Sequence, residues 1–539
     1  MNNLKDLDPA ELREKMLDHR KEVIDSRLRE IQKRRRRRMQ YLKQLDPDRL
    51  KNRQLKKLTI LHSNDMHGDF LTEEVDAGLI GGVSMLSGYI SKVRNEEDNV
   101  IYAIAGDMFR GSLIDSEFRG ISTIEIMNLL TPDVVTVGNH ELDYGLSHLL
   151  FLEKCANFPI INANMYTTLN GSRLFTPYVV LETGGLKILF IGAITRDVVS
   201  NTKAEELIGE LIDTRDAAEE IRNITEAYKT SDIDLNVLLT HIGFEEDQKL
   251  AAELGPDCDI DIIIGGHSHT YIEEPCVVAG IPIVQAAVGT DQIGRFDIVF
   301  DERNKQIDSY TWELIPITED RCPRDPALEA VIKKYKTVTD AKYLRVLTRF
   351  AKEYTHARTG SETELGDLIA GCMRSQLGVD LALIASGSIR TESLGPIVTL
   401  QDLMLAFPYE SSVVGLKLSG EQIRKIMTFL LRDDALDENV WTEWFQFSNG
   451  FLCEYDRHDR KILKLSIDGG DVQDEKVYSV AMQSYFYCSI EEFLGLSAEE
   501  SEKNGKAEEL ASDTLNVIKE YFEEHDFIKL EEGQRLFIR

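Results

Sequence analysis

From residue 58 onward, short apolar runs alternate with stretches of helical period. The runs are "KLTILHSND", "NVIYAIAGD", "DVVTVGNHE", "FPIINAN", "LKILFIGAI", "DLNVLLTHIG" and "IDIIIGGHSH". β-Branched residues crowd them and turn-forming residues bound them, so each predicts a short buried strand. Strands spaced by helical segments predict a layered α/β domain. Six of the seven runs carry Asp, Asn or His within their last three residues. Open α/β sheets bind ligands at the carboxyl ends of their strands, so polar residues far apart in sequence are expected to converge on one sheet edge.

The pattern changes on either side of this block. Residues 297–317 read as a hairpin that finishes the domain. "DPALEAVIKKYKTVTDAKY", 325–343, predicts a linking helix with an Asp-Pro start. A second α/β domain follows, with a strand in "LALIASGSIR" and a helix in "SGEQIRKIMTFLL"; the final stretch, "EEHDFIKLEEGQRLFIR", carries no motif. At the other end, "DPAE" at 8–11 marks a helix start. Apolar residues from Leu12 to Leu45 then recur mostly at spacings of three, four or multiples of four, which predicts an amphipathic helix over about 9–45. The expected organisation is a helical arm (1–57), a first α/β domain (58–320), a linking helix (321–345) and a second α/β domain (346–539).

Charge separates the arm from the body. The 539 residues carry a net charge of −31, with a pI near 4.8. Residues 1–57 hold 19 Lys and Arg against 10 Asp and Glu, a net +9, so the rest carries −40. An acidic body argues against nucleic-acid or membrane binding by that body. The arm, with "KRRRRR" at 33–38, is expected to pack on its own acidic body or on a second copy. Its other reading is a contact for RNA, anionic lipid or an acidic partner. The seven scattered cysteines suggest buried reduced thiols rather than a disulfide framework. No apolar signal segment or membrane span is visible, and a cytoplasmic location is the expectation.

Singly, the polar strand ends say little. Asn139 alone reads as a turn cap, Asp107 as a turn residue and "GGHSH" as a glycine-rich loop. Together they say more. Five of the 11 histidines, His67, His140, His241, His267 and His269, lie in these strand ends. Asp65 and His67 are two residues apart, as are His267 and His269, a spacing that puts side chains on one side of an extended chain. Asp107 is flanked by glycines and suits bridging two cations. Mixed N and O donors without Cys fit Zn, Mn, Fe or Mg rather than a thiolate site.

The segments "DMH", "GDMFRG", "GNHELD", "THIG" and "GGHSH", in this order, resemble the motifs of the calcineurin-like metallophosphoesterases. With the second domain, the chain is similar to the bacterial 5′-nucleotidase family over roughly 58–490. The resemblance implies a four-layer αββα domain plus a second α/β substrate-binding domain. It also implies a two-metal phosphohydrolase acting on nucleotides or related small phosphate esters by attack of a metal-bridging hydroxide. A cyclic-nucleotide phosphodiesterase or a nucleotide-sugar or dinucleotide pyrophosphatase is the same-class alternative; a binding module acting through the arm is the alternative of another class. One divalent ion would be held by Asp65, His67, Asp107 and His269, the second by Asp107, Asn139, His241 and His267. His140 resembles the non-ligand catalytic histidine and Asp143 its orienting carboxylate, while Glu141 is expected to be exposed and structural.

In the second domain, Arg390 matches the phosphate-binding arginine, and Arg358 is a candidate second. Tyr409 sits where one stacking ring is expected, and Phe486 is a candidate for the other. The chain departs from the family at Ala385–Ser386–Gly387–Ser388, where an Asn-Gly-Gly-Gly loop is usual, and at "CSIEEFLGL", which replaces a Gly-Gly-Asp-Gly stretch. An Asn and an Asp that contact the nucleoside are therefore missing.

Overall fold

The computed structural model describes residues 54–539 apart from 76–77, 196, 199–210, 257, 358–360, 410, 438–439, 441 and 532. The arm helix expected over 9–45, and Arg358, lie outside the described residues.

The expected runs form strands. They are β1 (Leu55–Ser63), β2 (Val100–Ala105), β3 (Val134–Thr136), β4 (Ile160–Ile161), β5 (Tyr178–Thr183), β6 (Leu186–Ile194), β7 (Leu235–His241) and β8 (Ile262–Ile264). After them come β9 (Cys276–Val278), β10 (Ile281–Val284), and the hairpin β11 (Gln292–Asp301) and β12 (Gln306–Pro316). Two six-stranded sheets result, with orders β12-β11-β1-β2-β3-β4 and β9-β10-β8-β7-β6-β5. In the first, β1 to β4 are parallel neighbours and the hairpin lies antiparallel to β1. In the second, β6, β7, β8 and β10 are parallel.

The period-two rule explains the layering. Leu58, Ile60, Ile101 and Ala103 of one sheet share a core with Ile188, Phe190, Val237 and Leu239 of the other. The alternate residues face outward under helices. Leu61, Tyr102 and Ile104 pack in a core with Leu86 and Ile90 of helix Val83–Glu96. Leu189, Ile191 and Leu238 pack with Ile221 and Leu250 of helices Ala217–Tyr228 and Phe244–Leu254. Sheets buried on both faces read as near-continuous apolar runs, and the four layers are helix, sheet, sheet and helix.

The chain divides into two compact units, 1–337 and 338–539, and the expected linking helix, Pro326–Tyr343, spans the division. Asp325 caps it, with its carboxylate accepting from the Ala327 and Leu328 N–H groups. The second unit centres on a five-stranded sheet of β13 (Leu381–Ala385), β14 (Val413–Ser419), β15 (Phe445–Phe447), β16 (Val477–Gln483) and β17 (Glu508–Ala511), in the order β15-β13-β16-β14-β17. The helix read in "SGEQIRKIMTFLL" is Gly420–Leu430. Ser419 and Gln422 close a capping box at its start, and Ile423, Ile426, Met427 and Leu430 form its buried face. Among the described residues no helix is long and apolar enough to cross a membrane. All seven cysteines are free thiols.

Candidate active site

Beyond the carboxyl ends of β1, β2, β3, β7 and β8, the polar residues meet. Asp65, Asp107 and His241 are almost fully buried, and Asn139 is 4% exposed. The His241 Nε2 lies 3.1 Å from Asp107 Oδ2 and 3.2 Å from Asn139 Oδ1. The His267 Nδ1 is 3.0 Å from the same amide oxygen. On the other side, His269 Nε2 is 3.4 Å from Asp65 Oδ1, and His67 Nε2 is 3.1 Å from His269 Nε2. Asp107 Oδ2 is 4.0 Å from His67 Nε2, so this carboxylate belongs to both halves.

The backbone does not do this by strand alternation. β1 ends at Ser63 and β8 at Ile264, before the donor pairs. Asp65, His67, Asp107, His267 and His269 instead stand in the left-handed region, with φ of 50°, 49°, 54°, 79° and 53°. Non-glycine residues pay strain there, and five at one site is the kind of clustering found where geometry serves function. Close approach explains two glycines. A Cβ on Gly138 would fall 2.3 Å from Asp107 Oδ1, and one on Gly266 would fall 2.5 Å from the Ala105 carbonyl.

Buried neighbours fix the donors. The Asn64 amide donates to Asp65 Oδ2 at 2.6 Å and to the Ala287 carbonyl, while its oxygen accepts from the Ala286 N–H. His241 Nδ1 sits 2.8 Å from the Ala105 carbonyl and His67 Nδ1 sits 3.4 Å from that of Phe109. Both contacts favour a proton on Nδ1 and leave Nε2 facing the cluster, as in metal-binding histidines. Glu141 is a correction: it is 1% exposed rather than a surface residue. Its carboxylate accepts from the N–H groups of Gly138 (2.7 Å), Asp107 (3.0 Å) and Met108 (2.7 Å), tying the loop after β2 to the loop after β3. The clue available in sequence was a carboxylate inside a run of loop residues whose N–H groups need acceptors.

Electrostatics favour cations here. Burial alone would raise the Asp107 carboxyl, but His241, His140 and His67 hold it well below the usual range. Burial, with Asp107 second, pushes Glu141 up to about 7. Burial lowers His67 and His267, whereas the hydrogen bond to Asp65 leads in raising His269. Ligand atoms of three groups, Asp65/His67/His269, His67/Asp107/His140 and Asp107/His241/His267, each lie within 4.8 Å of one another. Imidazole and carboxylate lone pairs this close repel unless protons or cations separate them, so the donor set fits divalent ions. His140 is within ligand reach but is differently tethered. Its Nδ1 is 2.7 Å from Asp143 Oδ2, and the same oxygen accepts from Arg110 Nη1 at 2.7 Å.

In the second unit, a cavity of about 590 Å³ opens beside Asp367 and Arg535, and one of about 530 Å³ beside Arg390, Tyr409, Glu443 and Gln483. The Arg390 guanidinium lies over the Tyr409 ring, 5.1 Å from its centroid, and its Nη2 donates to the Tyr409 hydroxyl at 3.2 Å. Phe486 also lines this second cavity, but it is 6% exposed and packs on Phe445 and Phe493. The exposed ring is its neighbour Tyr485, at 66%. Glu443, unread in the sequence, accepts from the Gly387 N–H at 2.9 Å, in the loop where the family's Asn is missing.

Residues 58–271 match the calcineurin-like phosphoesterase family, and residues 341–493 match the C-terminal domain of 5′-nucleotidases. The chain thus combines a calcineurin-like phosphoesterase domain with a 5′-nucleotidase C-terminal domain. It is a phosphoric ester hydrolase of a group that uses divalent metal ions. It is similar to the endonuclease YhcR of Bacillus subtilis (strain 168), 27% identical over 79% of this chain, although the match spans 37% of that relative's length. Protein UshA of Yersinia enterocolitica is 26% identical over 79% of this chain and 84% of its own. Among solved structures, a 5′-nucleotidase precursor from Thermus thermophilus shares the fold. Its TM-score is 0.57 at 22% identity, covering 90% of this chain and 99% of that one.

Proposed function

We propose that this chain hydrolyses the phosphate ester of nucleotides, with two divalent ions at the strand ends. The observation that carries this is Asp107, whose one carboxylate stands within reach of both histidine groups. Asp65, His67, Asp107 and His269 would hold one ion, and Asp107, Asn139, His241 and His267 the other. Mn, Zn, Fe and Mg all suit such a donor set. Ions bound there would lower the pKa of a water and offset charge on the phosphoryl oxygens.

The chain's own groups do the rest. With Nδ1 committed to Asp143, His140 presents Nε2 to the leaving oxygen and supplies its proton. Asp143 fixes the tautomer and stabilises the cationic ring; after burial, this hydrogen bond is the main influence on His140 and raises its pKa. Arg390 suits the phosphate by its guanidinium fork. Tyr409 and Tyr485 offer exposed rings to a base. The seven free thiols fit a reducing, cytoplasmic setting, which fractionation of the native host would check.

A phosphate-release screen over mononucleotides, nucleotide sugars and cyclic nucleotides, with Mn, Zn and Mg, tests the reading. Mononucleotides should be cleaved with at least one metal. Folded, metal-loaded protein that releases phosphate from none of them would sink it.

A further inference from the structure

Arg110, the fifth residue of "GDMFRG", pairs with Asp143 but has no part in the proposed hydrolysis. Its backbone stands at φ 63°, followed by Gly111 at φ 140°. The Arg110 N–H donates to Asp115 Oδ2 at 2.8 Å, and that buried carboxylate is itself anchored by Thr123 and Tyr144. The bend is thus held from below, and the side chain, 44% exposed, turns to Asp143. There it shares one oxygen with His140, while the second Asp143 oxygen is buried without a partner. Because a ring nitrogen of His140 lies within 4.8 Å of donor atoms of His67 and Asp107, an unbroken row runs from the candidate metal centre through His140 and Asp143 to Arg110.

A surface arginine on a carboxylate is usually a weak ion pair and no more. Here the ion pair ends beside the one ring assigned to the leaving group. Arg has five N–H donors, and the Asp143 bond takes one. Building on the proposed hydrolysis and on the place of His140 in it, we propose that Arg110 anchors the group that leaves phosphorus when that group is itself a phosphate. It thereby shifts preference toward phosphoanhydrides over monoesters.

The chemistry of the two leaving groups differs. In both, a water oxygen bonds to phosphorus, the bridging P–O bond breaks and its electron pair stays on the departing oxygen. A sugar alkoxide must be protonated, which is the task of His140. A departing nucleoside monophosphate is already a stable anion and needs a cation beside it rather than a proton. A guanidinium fork meets phosphate oxygens in a bidentate way, which an ammonium cannot reproduce.

The test compares kcat/KM for ADP and for AMP in metal-loaded wild type, Arg110→Gln and Arg110→Lys. Release of orthophosphate is read, with metal content and melting temperature as controls. Arg110→Gln should lower the ADP-to-AMP ratio roughly 10- to 100-fold, and Arg110→Lys should lower it less. If Arg110 only steadied Asp143, the loss would fall first on AMP, whose leaving oxygen needs the His140 proton, and the ADP-to-AMP ratio would hold or rise, which overturns the inference. Wild type that cleaves AMP but not ADP overturns it as well. Failure of wild type on every phosphate ester would instead remove the proposed function beneath it. Should Arg110→Gln not fold, Arg110→Lys decides in the same way: a lowered ratio supports the inference, and a ratio that holds or rises overturns it.

Discussion

Asp107 uses both oxygens. Oδ1 accepts the His140 backbone N–H at 2.9 Å, and Oδ2 faces His241 and His67. Removing its charge while keeping its shape therefore separates holding metal from turning over. Asp107→Asn should lose bound metal and activity together. His140→Ala should keep its metal and lose about 10²- to 10⁴-fold in kcat, the usual worth of a positioned acid. Metal analysis of the two purified variants beside their turnover checks this; equal metal loss in both would make His140 a ligand. Glu141 acts one step further back. A glutamine offers one oxygen to three converging N–H groups and turns an NH2 toward at least one of them. Glu141→Gln should bind metal about 10- to 100-fold more weakly, as losses in the supporting shell usually do. Calorimetric metal titration against wild type reads it, and an unchanged affinity would reduce Glu141 to a loop tie.

At the scale of elements, the strands of the first unit and the convergence of their ends were legible. Apolar runs and turn residues are local signals, and β1 to β4 and β6 to β8 fall where the runs stand. How the donors reach the cluster was not legible. The i, i+2 spacing suggested extended chain at Asp65 and His67, but the turn after β1 is left-handed at both. Tertiary hydrogen bonds hold that geometry, and no local pattern encodes them. The burial of Glu141, and of Phe486 beside the exposed Tyr485, escaped for the same reason. The C-terminal stretch was likewise read as bare, yet Leu536–Ile538 pairs with Phe451–Asp456. Arg535 is buried there, with its Nε 3.5 Å from Asp367 in the first turn of helix Glu364–Leu377. An ion pair at that distance and a neutral acid are opposite readings of Asp367. Neutral is the better one, because Nε makes no hydrogen bond to it and Glu362 is a second carboxyl beside it. Burial first, then Glu362, pushes Asp367 up to about 9. The folded chain then keeps a proton that the unfolded chain has released, so this group's contribution to stability falls as pH rises from about 4 toward 9. Asp367→Asn should flatten that slope and gain on wild type by a few degrees in melting temperature at pH 8–9, with little difference near pH 5. Parallel melting curves across that range would restore the ion pair.

On the scale of the whole molecule, the candidate metal donors all fall in the unit 1–337 and the aromatic cavity in the unit 338–539. Each unit has its own core, around Leu61, Tyr102 and Ile104 in one and Leu416, Ile423 and Tyr478 in the other. Two cores of this size predict two thermal transitions rather than one. Only the first should respond to metal. Ligand binding to the folded state stabilises it by RT ln(1 + [L]/Kd), about 4 kcal/mol at a thousandfold excess over Kd. At roughly 1.5–2 °C per kcal/mol for a unit larger than about 250 residues, stripping the ions should lower the first transition by about 6–8 °C. The buried Asp65 and Asp107 carboxylates would then lack cations, which adds to the loss. Scanning calorimetry with and without EDTA, followed by Mn or Zn addition, measures it. The second transition should stay fixed throughout. If chelator left the first transition in place, the strand-end cluster would hold no structural ion in solution. If both moved together, the two units would melt as one.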